Sequence, residues 1–454
     1  MSAEPRTAQA FTAEFDAAVL ELGRRLARRP HSLAAFTRSA NDRAMTAISH
    51  DPELRAAIFR LVDVAPACAS PSELAEHLDA LLDGAPQRTP LVAGMARAAG
   101  GKTSRAATGR VASIGVKRMA HRFIAGESPR QAAPALRALW QHGTAVSVDL
   151  LGEATVTAAE ADSYAGRCLE ALETLTAEAR RWPARPLLER DSAGGIARVN
   201  LSVKVTALTA AVRAHAPERG VADAAPRLRQ LLRAARDLGA HLHVDMESFD
   251  ARDLVLDLVL ELLTEPEFVA GPSAGIVLQA YLRDSEEVLE RIVAWAGQHR
   301  RPVPLTVRLV KGAYWDHETI ESEQHGWAPP VWTEKAESDR CFERLSRGLI
   351  DVFPLLRPAI ASHNLRSVAH ALVYAERAGL ERGDVEIQVL RGLGDDLQDA
   401  LAALGVRGRT YCPIGDLVAG MAYLVRRLLE NTANDSFLAG RSSGADLELL
   451  LRRP

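Results

Sequence analysis

Ionisable groups crowd into one stretch of the chain, LTVRLVKGAYWD, from Leu305 to Asp316. Leu305, Val307, Leu309 and Val310 are apolar and Thr306 and Val307 are β-branched, so the stretch opens as a strand. It then ends in Arg308, Lys311, Gly312, Tyr314, Trp315 and Asp316, where a core strand should turn into an ordinary polar loop. Of 55 basic residues only Lys102, Lys117, Lys204, Lys311 and Lys335 are lysine. Arginine is the default cation here, and a lysine that persists needs a reason.

Similar groups close seven other apolar runs: Asp149 and Glu153, Lys204, Asp245 and Glu247, Gln279, His363 and Asn364, Gln388, and Tyr411. Taken singly, each reads equally well as a loop residue or as half of a buried ion pair. Taken together they describe one rim. Near the end of the chain, LVRRLLENTANDSF sets Glu430 three and four places after Arg427 and Arg426, so one carboxylate can brace both guanidiniums. Two readings stand: a fork for a carboxylate or phosphate, or the solvated face of an amphipathic helix.

Other motifs carry less. His241 and His243 point to one side of a strand, but no third ligand has suitable spacing, so they read as core histidines and no metal site is expected. The GGKTS fragment has Ala96 where a phosphate-binding loop needs glycine, and no hydrophobic strand precedes it. There is no HExxH and no GxSxG. Cys68, Cys168, Cys341 and Cys412 lack CxxC or zinc-like spacing, which points to a reduced, cytoplasmic chain.

The elements that must position the rim alternate. Short apolar runs (AVSVDLL, ARVNLSVKV, HLHVDM, GIVLQAYL, PLTVRLV, AIASH, VEIQVL, RTYCPI) are each followed by an amphipathic helical segment. Eight such pairs in about 290 residues predict a parallel sheet closed as a (β/α)₈ barrel, whose working residues belong at the carboxyl ends of its strands. An open sheet would need a glycine-rich first turn, and the only GxG, Gly392 to Gly394, follows the seventh strand. Ahead of the barrel, residues 1 to about 140 read as helix, with helix starts at Ser70-Pro71 (Glu73 three places on) and Asp51-Pro52. The expected organisation is a helical N-terminal domain and connector over 1–140, the barrel over 141–440 and a tail over 441–454.

At 454 residues, 47% hydrophobic and 25% charged, the composition is that of an ordinary globular protein. The net charge of -3 and the lack of a lysine or arginine block argue against a nucleic-acid scaffold. No secretory signal is expected from the start MSAEPRTAQAF, and no window approaches the ~20 apolar residues of a membrane span. Membrane contact, if any, is expected to be peripheral.

SVKVTAL, VDMES, LQAYLRD, RLVKGAYWD, PVWTEK, SHN, EIQVL and YCPIG with YLVRRLLENTANDSF resemble, in order, the flavin-dependent proline dehydrogenases, most closely the proline dehydrogenase half of bifunctional proline-utilisation enzymes. The resemblance spans roughly residues 145 to 440, and the helical N-terminal region is similar to the helical domain of those enzymes. Neither an aldehyde dehydrogenase domain nor a ribbon-helix-helix module is expected within this sequence. Two motifs depart slightly: Ser362 stands where threonine is usual, and KVTAL replaces KLSAL. Both keep the hydroxyl.

The resemblance implies oxidation of L-proline to 1-pyrroline-5-carboxylate with non-covalently bound FAD, the first step of proline catabolism, and electrons passed to a quinone at the inner face of the membrane. It places Arg308 toward flavin N5, with Asp245, Gln279, Val310, Lys311, Gly312, Ala313 and Trp315 around the ring and pyrophosphate, and His363, Asn364, Gln388 and Ser436 completing the cofactor site. Proline's carboxylate falls to Arg426, Arg427 and Lys204, braced by Glu430. Tyr411, Tyr314 and Leu390 shape the ring pocket, and Glu153 closes over it by pairing with Arg426. Arg308, Lys204, Asp245 and Tyr411 are the expected catalytic group.

The physics agrees. A rigid cationic clamp orients the substrate for hydride transfer, and nearby cations favour the neutral amine from which hydride leaves. Reduced flavin gains negative charge, which Arg308 is suited to stabilise. The alternatives are a related imino acid such as 4-hydroxyproline, which the bulk of Tyr411 disfavours, or a non-catalytic barrel serving as partner to a pyrroline-5-carboxylate dehydrogenase.

Overall fold

The computed structural model describes residues 13–28, 122–151, 155–213, 215–416 and 446–454, with residues 64, 68, 70, 73, 76, 77, 80 and 420. Eight strands form its centre: β1 Thr144–Leu150, β2 Asn200–Lys204, β3 His241–Asp245, β4 Ser273–Gln279, β5 Leu305–Val310, β6 Leu356–Ala361, β7 Glu386–Leu390 and β8 Gly408–Ile414. Every neighbouring pair is parallel, and β1 pairs with both β2 and β8, which closes the barrel. Parallel neighbours require crossovers, and helices supply them.

Those helices are α2 Pro129–Gln141, ahead of β1, α3 Ala158–Ala179, α4 Pro217–Leu238, α5 Phe249–Leu262, α6 Ser285–His299, α7 Trp315–His325, α8 Lys335–Asp351, α9 Leu365–Arg377 and α10 Asp395–Ala403. Local chemistry sets their ends. Thr157 and Glu160 form a reciprocal capping box at the start of α3, Asn364 caps α9 through two backbone N–H groups, and Gly239 takes a left-handed φ of 65° to end α4.

Alternation along β5 puts Leu305, Val307 and Leu309 on one side and Thr306, Arg308 and Val310 on the other. Arg308 bonds to side chains from β1, β2, β3 and β7, so its side is the barrel interior. The other side is buried against the helical shell. The same period brings Ser147 and Asp149, Asn200, Ser202 and Lys204, His241, His243 and Asp245, and Glu386 and Gln388 inward. The interior is therefore polar over much of its height. Gly275 makes room for part of it, because a Cβ there would lie 2.2 Å from His243 Nδ1 and 2.9 Å from His241 Nε2.

Ahead of the barrel, helix α1 (Ala13–Ala27) lies against α9, with Asp16 paired to Arg366 at 2.8 Å and Phe15 edge-on to His370. On its far end Arg24 pairs with Glu448 at 2.7 Å, and Gly23 leaves room for Leu451. The predicted helix start at Ser70 is present as a bond from Glu73 N to Ser70 Oγ of 3.2 Å.

Two elements escape the periodicity argument. Helix α7 is WDHETIESEQH, so polar that no apolar face announces it; it buries Glu318, which accepts a 2.7 Å bond from the backbone of Phe249. A two-stranded ribbon, Arg190–Asp191 with Gly194–Gly195, precedes β2 and carries too few residues for a pattern. No helix among the described residues is long and apolar enough to cross a membrane.

Candidate active site

Strand direction gathers the site at one mouth. Lys204, Asp245 and Gln279 are the last residues of β2, β3 and β4, and Asp149 is next to last in β1. Arg308, Gln388 and Tyr411 lie one layer deeper, inside β5, β7 and β8. That depth matters for Arg308, whose side chain is only 5% exposed and whose charge must be matched.

It is matched from four strands. Arg308 Nη1 donates to Asp245 Oδ1 at 2.6 Å, Nε to Gln388 Oε1 at 2.7 Å, and Nη2 to Ser202 Oγ at 3.1 Å and Ser147 Oγ at 3.3 Å. The guanidinium sits 5.3 Å from the centre of the Tyr411 ring, and the Tyr411 hydroxyl donates to Asp245 Oδ2 at 2.8 Å. Asp245 thus joins the cation and the phenol. Lys204 completes the group, donating to Asp149 at 2.7 Å and lying 3.8 Å from Asp245. Burial opposes the charge on Lys204, but Asp149 and Asp245 outweigh it and hold the pKa above that of a free lysine. Beside them, burial pushes the Glu247 carboxyl up, although it accepts a bond from Thr206.

Other predicted residues are held by partners of their own. Gln388 Nε2 donates to Glu386 at 2.7 Å, which aims its oxygen at Arg308. Gln279 Nε2 donates to the backbone of Glu247 at 2.8 Å, while its Oε1 is buried without a partner. His363 Nε2 accepts from the backbone N–H of Leu390 at 2.9 Å, and the Asn364 side chain caps α9.

The loop after β5 divides. Lys311 falls outside the inward set of β5 and pairs with Asp339 of α8, which also takes Lys335 at 2.6 Å. Burial lowers the Lys311 pKa, and Asp339 recovers part of the loss. Gly312 has a φ of +135° and lies so close to Tyr281 that a Cβ would come within 2.3 Å of the ring. Only glycine meets both conditions. Tyr314 and Trp315 pack against Tyr281, Leu282 and Val331, and the Trp315 indole donates to the carbonyl of Trp332 at 2.8 Å. Val310 is partly buried against the core, and Ala313 is half-buried. Glu153, Arg426, Arg427, Glu430 and Ser436 lie outside the described residues.

Sequence reasoning passed over Ser147, Ser202 and Glu386, which hold Arg308 directly or through Gln388. A period of two could have found them, since they stand two places before Asp149, Lys204 and Gln388 on the same strand faces. Asp339 had no such signal, because it sits on a helix, where the strand period does not apply, and 28 residues from Lys311.

A closed parallel barrel with a buried, tyrosine-capped arginine–carboxylate pair at its carboxyl-terminal mouth belongs to the class of (β/α)₈ enzymes, which work at that face. The sequence comparisons narrow the class. The family model for proline dehydrogenase matches residues 132–440, and the model for the proline utilization A N-terminal domain matches residues 16–123. The chain belongs to the proline dehydrogenase family. It is 32% identical to "Bifunctional protein PutA" of Salmonella typhimurium over 74% of this chain and 25% of that one. It is 28% identical to "Proline dehydrogenase" of Deinococcus radiodurans over 70% of this chain and 88% of that one. Among solved structures, proline utilization A from Bdellovibrio bacteriovorus inactivated by N-propargylglycine superposes with a TM-score of 0.85 at 35% identity, over 97% of this chain and 44% of that one. The chain spans about a quarter of the length of the first of these relatives.

Proposed function

We propose that the chain is an FAD-dependent L-proline dehydrogenase that oxidises L-proline to 1-pyrroline-5-carboxylate by hydride transfer to flavin N5, with electrons passing to a quinone. The observation that carries this reading is the Arg308–Asp245–Tyr411–Lys204 cluster at the open mouth of a proline dehydrogenase family barrel. The residues present fit a flavin. The buried, unpartnered Oε1 of Gln279 is an acceptor waiting for an N–H, and Arg308 on the neighbouring strand is a cation suited to a ring that becomes electron-rich. FAD, when bound, supplies the two-electron acceptor.

The chain's own residues do the rest. Gln279, Arg308, Lys311, His363 and Gln388 would hold the cofactor, with Val310, Gly312, Ala313, Trp315, Asn364 and Ser436 around it. Lys204 offers its charge to the substrate carboxylate with Arg426 and Arg427, and Glu430 and Glu153 brace that clamp. Asp245 holds the Tyr411 ring and Arg308 in one arrangement, so the proline ring meets a preformed wall, completed by Leu390 and Tyr314. Lys204 and Arg308 disfavour a protonated substrate amine and thereby keep the reacting form neutral.

The product requires a pyrroline-5-carboxylate dehydrogenase, as a partner or as a fused domain. Reduction of a quinone calls for transient contact with the inner face of the membrane. The protein should purify yellow, bleach on addition of L-proline and reduce a dye acceptor with proline in preference to 4-hydroxyproline. A colourless protein that takes up no FAD would refute the reading.

A further inference from the structure

The amino-terminal mouth of the barrel holds a second ionic cluster, joined to the first through Glu386 and Gln388. Arg357, Arg407 and Arg409 are each at most 4% exposed, and two carboxylates answer them. Arg357 forms a two-point pair with Asp191, with Nε at 2.9 Å and Nη2 at 3.0 Å, and Nη2 also reaches the carbonyl of Gly195. Arg409 forms a two-point pair with Glu386 at 2.7 and 2.9 Å, and its remaining nitrogen donates to the carbonyl of Val146. Arg407 is left between them. Its Nη1 reaches Asp191 at 3.3 Å, while Nε is 3.6 Å from Glu386 and has no hydrogen bond.

Three guanidiniums against two carboxylates leave one positive charge buried. The neighbouring imidazole leaves that count unchanged, because His241 is held neutral by burial, its pKa lowered to about 3. All three arginines line a small cavity with room for a water-sized occupant, together with Glu386, Asn200, His241 and Ser273. Asn200 uses its Oδ1 to accept from Ser147 at 2.8 Å, so its amide nitrogen is a further donor without an acceptor. The cavity wall thus carries surplus donors and surplus positive charge. Water would satisfy the donors and leave the charge. We propose that this cavity is a binding site for a small monovalent anion of halide size, held by Arg407 and the Asn200 amide and serving to neutralise the amino-terminal mouth.

The ribbon carrying Asp191 explains why such a site can be selective. The Asp191 side chain is fully buried, and its carboxylate also accepts from the backbone of Ala193, so the floor under Arg357 and Arg407 is fixed. A large anion has no room. A cation meets three guanidiniums against one carboxylate, that of Glu386.

The test is independent of the flavin reading, because it needs no turnover. Crystals of the intact protein grown in bromide should give an anomalous peak beside Arg407 Nε. Thermal unfolding at constant ionic strength should shift upward and saturate as chloride replaces gluconate. Asn200→Asp, which supplies the missing negative charge from within the chain, should abolish both the peak and the chloride response while the protein stays folded. Absence of the bromide peak would overturn the proposal, as would an unchanged chloride response in Asn200→Asp. A peak without any chloride-dependent shift would mean an adventitious ion only.

Discussion

The two mouths of this barrel are built from the same materials and differ in what the cations are free to do. At the amino-terminal end, Arg357 and Arg409 are locked in two-point pairs, and a ribbon closes over them. At the carboxyl-terminal end, Asp245 is divided between Arg308, Tyr411 and Lys204, of which Lys204 and Tyr411 are partly exposed at the open face while Arg308 lies buried beneath them. A two-point pair is a structural fixture. A shared carboxylate holds several groups in register while leaving their remaining valence for a ligand. Ionisable residues inside a barrel therefore do not by themselves identify a site; the strand end they occupy does.

That contrast can be broken from either side. The largest effect expected is on activity, from Arg308→Met, which removes the cation and frees Asp245. Proline-dependent dye reduction should fall about 10²- to 10³-fold, as for removal of a preorganised charge in other enzymes. Normal turnover in a folded variant would take Arg308 out of the mechanism.

Arg357→Met at the opposite mouth should do the reverse. It leaves the buried Asp191 with Arg407 alone, and breaking such a pair costs about 3–5 kcal/mol of stability. Urea unfolding should register that loss, while the KM for proline stays put. A shifted KM with intact stability would mean that the two mouths are not separate in function.

The smallest effect sharpens the electrostatics. His241 has a pKa lowered to about 3 by burial and by Arg409, against about 6.5 when unfolded. A depressed folded pKa means that the unfolded chain takes up protons first as pH falls. The stability from neutral His241 is complete above about pH 6.5 and declines toward pH 3, by up to about 2 kcal/mol between pH 6.5 and 5. His243 is depressed in the same direction by burial and Arg308. In His241→Gln the slope of unfolding free energy against pH over that window should flatten. An unchanged slope would show that this imidazole does not titrate on unfolding.

Much of the site was legible before any coordinate. Lys204, Asp245 and Gln279 sit at strand ends that alternation alone could place, and barrel geometry turns strand ends into a common rim. The amino-terminal cluster was not legible, for a specific reason. Arg357 and Pro358 interrupt the apolar opening of β6, so the pattern starts that strand at Ala359, and Asp191 lies on a ribbon too short to have a period. Lys311 was legible as an anomaly, since five lysines among 55 basic residues make each one conspicuous. Its partner was not.

The chain by itself determined the eight strands, the helices that follow the first seven, the inward period of each strand, and the motifs by which the family is known; the helix expected after the eighth strand lies outside the described residues. These depend on interactions within ten or fifteen residues, where periodicity and capping are decided. The tertiary structure alone decided which carboxylate each cation would take. Arg308 finds Asp245 63 residues away and Ser147 161 residues away, and Lys311 turns to Asp339 on a helix outside the barrel. Those pairings follow from barrel closure and register, and no local stretch of sequence encodes either one.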